Sequence, residues 1–281
     1  MMFNKKMLVV LAHPDDESFG MGGTLALYAS QGVEIYLCCG TRGEAGDLEL
    51  GTQAANESVG EVREKELHCA ALVLGIKHIE FLGFRDSGMP GTKDNQHPLA
   101  LVNQPLEVVA GKIATLIREF QPNVVITHDP IGGYRHPDHI AVHKAAELGF
   151  HLAGNLDFSS NGTKPYQPEF LYYHTFPRAF LMTAVKILRF LGKDPSKFGK
   201  NGDIDLESIA LVEFPVHAEI NISKFRKVKE KAGACHASQG GRRIGGGLVG
   251  LATQFFKSNE AFMQAYPPVE GNIKKKNDLF V

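Results

Sequence analysis

Two short clusters concentrate the residue types that carry out hydrolysis: His13-Pro14-Asp15-Asp16-Glu17 and His136-Pro137-Asp138-His139. Imidazole nitrogen and carboxylate oxygen are standard zinc ligands, and a catalytic zinc takes three of them and keeps a place for water. His13 and Asp16, three apart across a tight turn, can present two ligands to one ion. His139, 123 residues after Asp16, can supply the third if the fold brings the clusters together. Taken alone, the first cluster has a plainer reading, in which Asp15 or Asp16 caps a helix and His13 is merely polar. The pairing of two such clusters tips the balance to a metal site. A zinc held in this way can polarise a carbonyl and lower the pKa of bound water towards ~7, and a carboxylate beside that water can take its proton.

The elements that must position these residues alternate strand with helix. MLVVLA (7–12) is a continuous apolar run, as expected of a strand buried on both faces. Further strands are predicted at 33–39, 78–82 and 123–127, with helices leading to the turn at Gln31–Gly32 and at 57–74, 105–119 and 137–150. Strands separated by helices of this length make a Rossmann-like, mostly parallel α/β sheet with helices on both faces. Ligands of such sheets bind beyond the carboxyl ends of the strands. Polar clusters fall at four of those ends: 13–17, Thr41-Arg42-Gly43-Glu44, Phe84-Arg85-Asp86-Ser87-Gly88, and His128-Asp129 with 133–139. After Phe150 the rhythm breaks. A loop is expected at 154–168, a strand at 169–174, an amphipathic stretch at 179–192 and a loop at 193–205. A strand at 209–214 and a basic helix at 222–233 follow. The reading is one domain over 1–281, with a core at 1–150 carrying the metal site and a C-terminal elaboration at 151–281 shaping the substrate pocket.

AlaHisProAspAspGlu (12–17) and HisProAspHis (136–139) resemble the signature pair of the PIG-L/LmbE-like family of zinc-dependent deacetylases of N-acetylglucosamine-containing molecules. The resemblance continues through ThrArgGlyGluAlaGly (41–46), ArgGluLysGluLeu (63–67), ArgAspSerGly (85–88) and HisAlaSerGln (236–239). It implies His13, Asp16 and His139 as zinc ligands, although Fe(II) also suits a His₂Asp set. It implies Asp15 as the general base, His136 as the histidine acting at the tetrahedral intermediate and leaving amine, and Asp138 as the carboxylate orienting His136. Tyr134 matches a tyrosine that helps stabilise the oxyanion in some relatives. Arg63 and Asp86 match sugar-contacting positions, and Glu44 and His236 are weaker candidates for the pocket. The implied reaction releases acetate and a free amine from a small N-acetylated amino sugar. An amidase acting on a glucosaminyl thiol conjugate is the nearest rival; a nucleotide-binding or non-catalytic sugar-binding protein is a more distant one. Homo-oligomers are common among members of the family. Substrate choice is expected from 87–104 and the C-terminal third, 154–168 included.

Composition narrows the field. The 281 residues are 43% hydrophobic and 22% charged, which excludes disordered and fibrous classes. Thirty basic against 31 acidic residues leave no positive field for nucleic acid or an anionic membrane. No stretch approaches the ~20 apolar residues that span a bilayer. Cys38, Cys39, Cys69 and Cys235 form no CxxC and no regular framework, so the chain reads as reduced and cytoplasmic. Asn-x-Ser/Thr triplets at Asn56, Asn161 and Asn221 are then chance matches. GlyGlyGlyLeuValGly (245–250) fits GxGxxG but lies far from the first strand, which argues against a dinucleotide site. His139 and His143 stand at i, i+4 without the Glu of a zincin, so His143 is expected at the helix surface or behind the ligands. His128 and Asp129 are left without a role.

Overall fold

An apolar run such as 7–12 avoids water only if both faces of its strand are covered. The computed structural model describes residues 5–48, 57–159, 162–199, 202–241, 258–271 and 274–281. It sets β1 (Lys6–Leu11) between β2 (Glu34–Cys39) and β4 (Val124–His128), parallel to both. β3 (His78–Phe81) and β5 (Phe170–Thr175) flank these strands, also in parallel. Side chains of a strand alternate between faces. Met7, Val9 and Leu11 therefore pack with Leu25 of α1 (Asp16–Ser30) and Leu67 and Leu74 of α2 (Val59–Leu74). Leu8 and Val10 pack with Ile113 of α3 (Leu106–Phe120) and with Val142 and Phe150 of α5 (Pro137–Gly154). α2 starts in a capping box, where the Ser58 hydroxyl accepts from the Glu61 N–H and the Glu61 carboxylate accepts from the Ser58 N–H. It stops at Gly75, whose φ of +79° favours glycine.

The order β3-β2-β1-β4-β5 reverses direction between β1 and β4. A crevice opens at such a reversal beyond the carboxyl ends of the two strands. One His-Pro-Asp cluster follows β1. The other follows β4, after the four-residue helix α4 (Gly132–Arg135).

The C-terminal third departs from expectation. α6 (Arg178–Phe190) matches the amphipathic stretch, but no strand forms at 209–214. Leu206–Ala210 is instead a short helix, α7, because the Asp205 carboxylate accepts from the Glu207 and Ser208 N–H groups, both at 3.1 Å. Two strands went unforeseen: β6 (Ala218–Asn221), only four residues long, and β7 (Asn259–Tyr266), whose apolar run is broken by Glu260 and Gln264. β7 lies antiparallel between β5 and β6, completing a seven-stranded sheet. The basic helix, α8, runs over Arg226–Cys235.

Glu260 explains why a carboxylate interrupts β7. α1 kinks at Met21, and the buried Glu260 carboxylate accepts from the backbone N–H groups of Gly23 (3.1 Å) and Thr24 (2.7 Å), with Lys229 Nζ at 2.6 Å. Gly23 must be glycine here, since a Cβ would lie 2.5 Å from Ile222 Cδ1. The late strands thus grip the helix that begins in the first cluster.

The cysteine reading needs correction. Cys69 of α2 and Cys235 at the end of α8 form a disulfide with Cα atoms 5.8 Å apart, while Cys38 and Cys39 are free and buried. The pair is 166 residues apart in sequence, so no local spacing could announce it, and the lack of a local pattern says nothing about a reducing compartment. Among the described residues no helix is long and apolar enough to cross a membrane. The 245–250 glycine motif, Asn56 and Asn161 lie outside the described residues.

Candidate metal centre

The chain leaves β1 through Ala12 and turns sharply, so that His13 and Asp16 face the same point. The His13 N–H donates to Asp16 Oδ2 at 2.9 Å, which closes the turn. The first turn of α5 brings His139 opposite. His139 Nε2 is 3.2 Å from His13 Nδ1 and 3.3 Å from Asp16 Oδ1, and His13 Nδ1 is 3.7 Å from Asp16 Oδ2. Ligands at 2.0–2.2 Å in a tetrahedral shell are ~3.3–3.6 Å apart, and the two nitrogens and the two oxygens of the Asp16 carboxylate lie at or near that spacing.

Electrostatics favour a cation at this point. Burial resists a charge on His13, yet Asp86, Asp138 and Asp16 outweigh it and hold the imidazole well above its ordinary pKa. Burial likewise resists ionisation of Asp16, but His139, His128 and His13 hold its carboxyl well below the usual range. The carboxylates of Asp16, Asp86 and Asp138 gathered within 3.7 Å of His13 give this point the negative character that a divalent ion needs.

The second cluster is built differently. His136 is the N-cap of α5, and its Nδ1 accepts from the Asp138 N–H at 3.2 Å. That bond puts the proton of the neutral ring on Nε2, the nitrogen left available as a donor. Burial, then repulsion from His13 and His139, pushes the ring down to about 2, so it stays neutral. Asp138 does not orient His136 with its carboxylate, contrary to expectation. It is fully buried, with Oδ2 at 3.2 Å from His13 Nε2, and it accepts from both the N–H and the hydroxyl of Ser87. The reason is helical phase: the second residue of α5 points back under the sheet end, where His13 and the β3 loop meet it. A carboxylate on the far nitrogen fixes the His13 tautomer and turns Nδ1 towards the ligand point.

Asp15 sits beside this point in an unusual conformation, with φ of +118°. Its Oδ2 accepts from Arg63 at 3.0 Å. Burial raises its pKa to about 6, against Arg63 and with the help of Asp16. Arg63 is itself buried and also donates to the carbonyls of Pro14 (2.7 Å) and Gly43 (3.0 Å). It meets the site as the partner of Asp15, with both terminal nitrogens engaged inside the protein. Asp86 is also turned inward, its Oδ1 3.4 Å from His13 Nε2 and accepting from the Gly88 N–H at 2.8 Å. Glu44 accepts from the Asp86 N–H at 3.0 Å and so steadies that loop. The Tyr134 ring meets His136 and His139 edge-on, with centroids 5.7 and 5.2 Å away. Its phenol is held well above the ordinary value by burial, then by Asp16 and Asp15, so the hydroxyl keeps its proton. Gly132 permits this approach, because a Cβ there would lie 2.9 Å from His139 Cβ at a φ of +67°. His236 is fully buried against Glu17, with Nε2 to Oε1 at 2.7 Å, and so does not line a pocket.

Sequence reasoning passed over Ser87, Glu17 and His128. The first two lie within recognised motifs, 85–88 and 12–17; His128 gave no signal beyond its strand end. Its ring stacks on His139 at 4.0 Å and its Nε2 accepts from the Ala12 N–H at 3.0 Å. That nitrogen lies within reach of Asp16 and His139, but its lone pair is already used, which favours His13 as the third ligand. His143 is buried, not at the surface, and its Nδ1 holds the His128 carbonyl at 2.9 Å.

Fold and site together define a Rossmann-like protein with a His/Asp cluster at its switch point that could hold a metal ion. The family model described as GlcNAc-PI de-N-acetylase, PIG-L, matches residues 8–148. A 1D-myo-inositol 2-acetamido-2-deoxy-alpha-D-glucopyranoside deacetylase of Streptomyces avermitilis is 34% identical over 245 residues, covering 84% of this chain and 83% of its own. The enzyme of the same description from Thermobifida fusca is 35% identical over 247 residues, covering 85% and 84%. The chain belongs to the PIG-L family. Among solved structures, N,N'-diacetylchitobiose deacetylase from Pyrococcus horikoshii superposes with a TM-score of 0.64 at 23% identity, covering 92% of this chain and 83% of that one. A 4-carboxy-2-hydroxymuconate hydratase from Pseudomonas putida reaches 0.61 at 20%, covering 96% and 100%. The same fold therefore carries different activities, and function must be argued from the site and the sequence relatives.

Proposed function

We propose that this chain is a zinc-dependent N-deacetylase that hydrolyses the acetamide of an N-acetylglucosamine-type conjugate, giving acetate and a free amine. One observation carries the reading: His13 Nδ1 and His139 Nε2 stand 3.2 Å apart, each within 3.7 Å of an Asp16 oxygen, and the adjacent carboxylate of Asp15 is not among them. His13, Asp16 and His139 would hold the ion. When bound, it supplies Lewis-acid polarisation of the acetyl carbonyl and acidifies water. Asp15 accepts the proton of the attacking water, its carboxyl near 6 making it a base of useful strength near neutral pH. The His136 Nε2–H and the Tyr134 hydroxyl donate to the developing oxyanion. Asp15, protonated in the first step, returns its proton to the departing amine.

The substrate class comes from the Streptomyces and Thermobifida relatives, whose names specify a 2-acetamido sugar linked to inositol. Selection among such conjugates is assigned to 87–104 and 151–281. Phe176, Leu181, Ile209, Val212 and Phe214 of the latter segment line, with Asp129, Ile131 and Gly133, a shallow surface depression next to Tyr134. The test is amine release across a panel of N-acetylglucosaminides, with metal analysis on the same sample. Release that tracks bound metal supports the reading; sugar binding without amine release in the metal-loaded protein refutes it.

A further inference from the structure

The geometry points to Glu17 and His236 as positioning residues that hold Asp15 in its working conformation, an inference resting on the base role proposed above. Asp15 is one of three non-glycine residues with positive φ among those described. Gln121 is a helix C-cap, where the left-handed region is common. Asp15 precedes a helix, where extended backbone is the rule, and at φ +118°, ψ −29° it lies outside even the usual left-handed well. Such a residue persists only where its surroundings over-determine it.

The surroundings do so. The Asp15 N–H donates to Glu17 Oε2 at 3.0 Å, and its carbonyl accepts from the N–H groups of Ser18 (3.1 Å) and Phe19 (3.0 Å). Glu17 has no exposed surface, and each of its oxygens is assigned. Oε2 takes Asp15; Oε1 accepts from the Ser18 hydroxyl at 2.5 Å and faces His236 Nε2 at 2.7 Å. A buried carboxylate without a charged or donor partner is strongly disfavoured, so His236 keeps Glu17 where Asp15 needs it. His236 is 219 residues away and is delivered by a pinned segment. Cys235 is tied to Cys69 of α2, and the Ser238 N–H and hydroxyl donate to Glu66 of the same helix at 2.7 and 2.6 Å. The His236 ring rests edge-on against Phe19 at 5.8 Å. One line of contacts thus runs from α2 through His236 and Glu17 to the backbone of the base. The two residues touch neither the ligand point nor the space above it, so their effect passes through Asp15.

The side chains also predict which substitution is tolerated. In E17Q the side-chain carbonyl oxygen can still accept from the Asp15 N–H. The new amide can face His236, because His236 Nδ1 has no partner and can take the ring proton, freeing Nε2 to accept. The experiment compares kcat, KM, metal per chain and thermal midpoint for wild type, E17A, E17Q, H236F and the double variant E17A/H236F, with D15N as reference. E17A is expected to lose ~10–10²-fold in kcat, the scale of a misplaced catalytic group, with KM and metal content unchanged. E17Q should stay within ~3-fold of wild type, and the double variant should be no slower than E17A, since both changes break one chain of contacts. If E17A does not fold, H236F, which keeps an aromatic ring and removes the donor, is read alone for the same loss in kcat. Wild-type kcat in E17A and H236F, a loss that follows metal content or KM, or effects that multiply would each overturn the inference. A slow D15N beside a normal E17A overturns it alone. Wild-type turnover in D15N removes the base assignment and this inference together.

Discussion

The same tripeptide, His-Pro-Asp, sits at the two strand ends that flank the crevice, and the two copies are used in opposite ways. In the first, the histidine faces the ligand point and the aspartate, Asp15, lies beside it as a strained N-cap with φ of +118°. In the second, the histidine is the N-cap and the aspartate, Asp138, is fully buried behind the other cluster's ligand. The difference is where the helix begins. α1 starts after the aspartate and α5 at the proline, so the second copy is two residues further into its helix. That offset leaves one carboxylate at the helix start, bonded to Arg63, and carries the other into the floor of the site. Residue type sets what a side chain can do, while its place relative to the helix start sets which of those things it does.

The largest effect that would sharpen this comparison comes from Asp16, the residue after the first copy. D16N replaces the anionic ligand by a neutral amide and should abolish metal retention through dialysis. Turnover should fall by more than ~10⁴-fold, since polarisation and the charge on the site are lost together. Metal analysis beside amine release reads it; a metal-replete D16N breaks the ligand assignment. D15N should keep its metal yet turn over ~10²–10⁴-fold more slowly, because only the proton acceptor is gone. Loss of metal in D15N with retention in D16N would reverse the two roles.

Asp138 is the third test. As the carboxylate behind His13 it should, when changed to Asn, weaken metal affinity by ~10–100-fold. Competition with a chelator measures this. Unchanged affinity with a selective loss of kcat would mean that Asp138 serves His136 after all. The smallest effect is the pH response. Asp15 must be ionised to accept a proton, so kcat/KM falls on the acid side as its carboxyl is protonated. Burial places that step near pH 6, and a bound cation lowers it, so the limb lies at or below about 6 with roughly tenfold loss per unit beneath it. A profile for D15N should lack that limb, while one for D138N with metal restored should keep it.

The parallel half was legible because its signals are local. A doubly buried strand needs an unbroken apolar run, as in 7–12. A helix such as 59–74 announces itself by Ser58, Glu61 and Gly75. The late strands were not legible: β7 carries Glu260 at a buried position, which looks like an error until α1's unpaired N–H groups are seen opposite it. The segment 209–214 misled because apolar β-formers outweighed Asp205, a cap visible only as one residue. Arg63, Asp86 and His236, expected to contact the sugar or line the pocket, turn to Asp15, His13 and Glu17.

By itself the sequence determined the chemistry on offer: two imidazole–carboxylate clusters at strand ends, in an order of elements that favours a mostly parallel sheet. Composition and local periodicity suffice for that, because burial and helix capping act over a few residues. The tertiary structure decided the assignment of roles. Whether a carboxylate binds an ion, takes a proton or steadies a neighbour depends on distances of about 3 Å between residues more than a hundred positions apart, such as His13 and Asp138. Those distances follow from packing and helical phase, which no local pattern encodes.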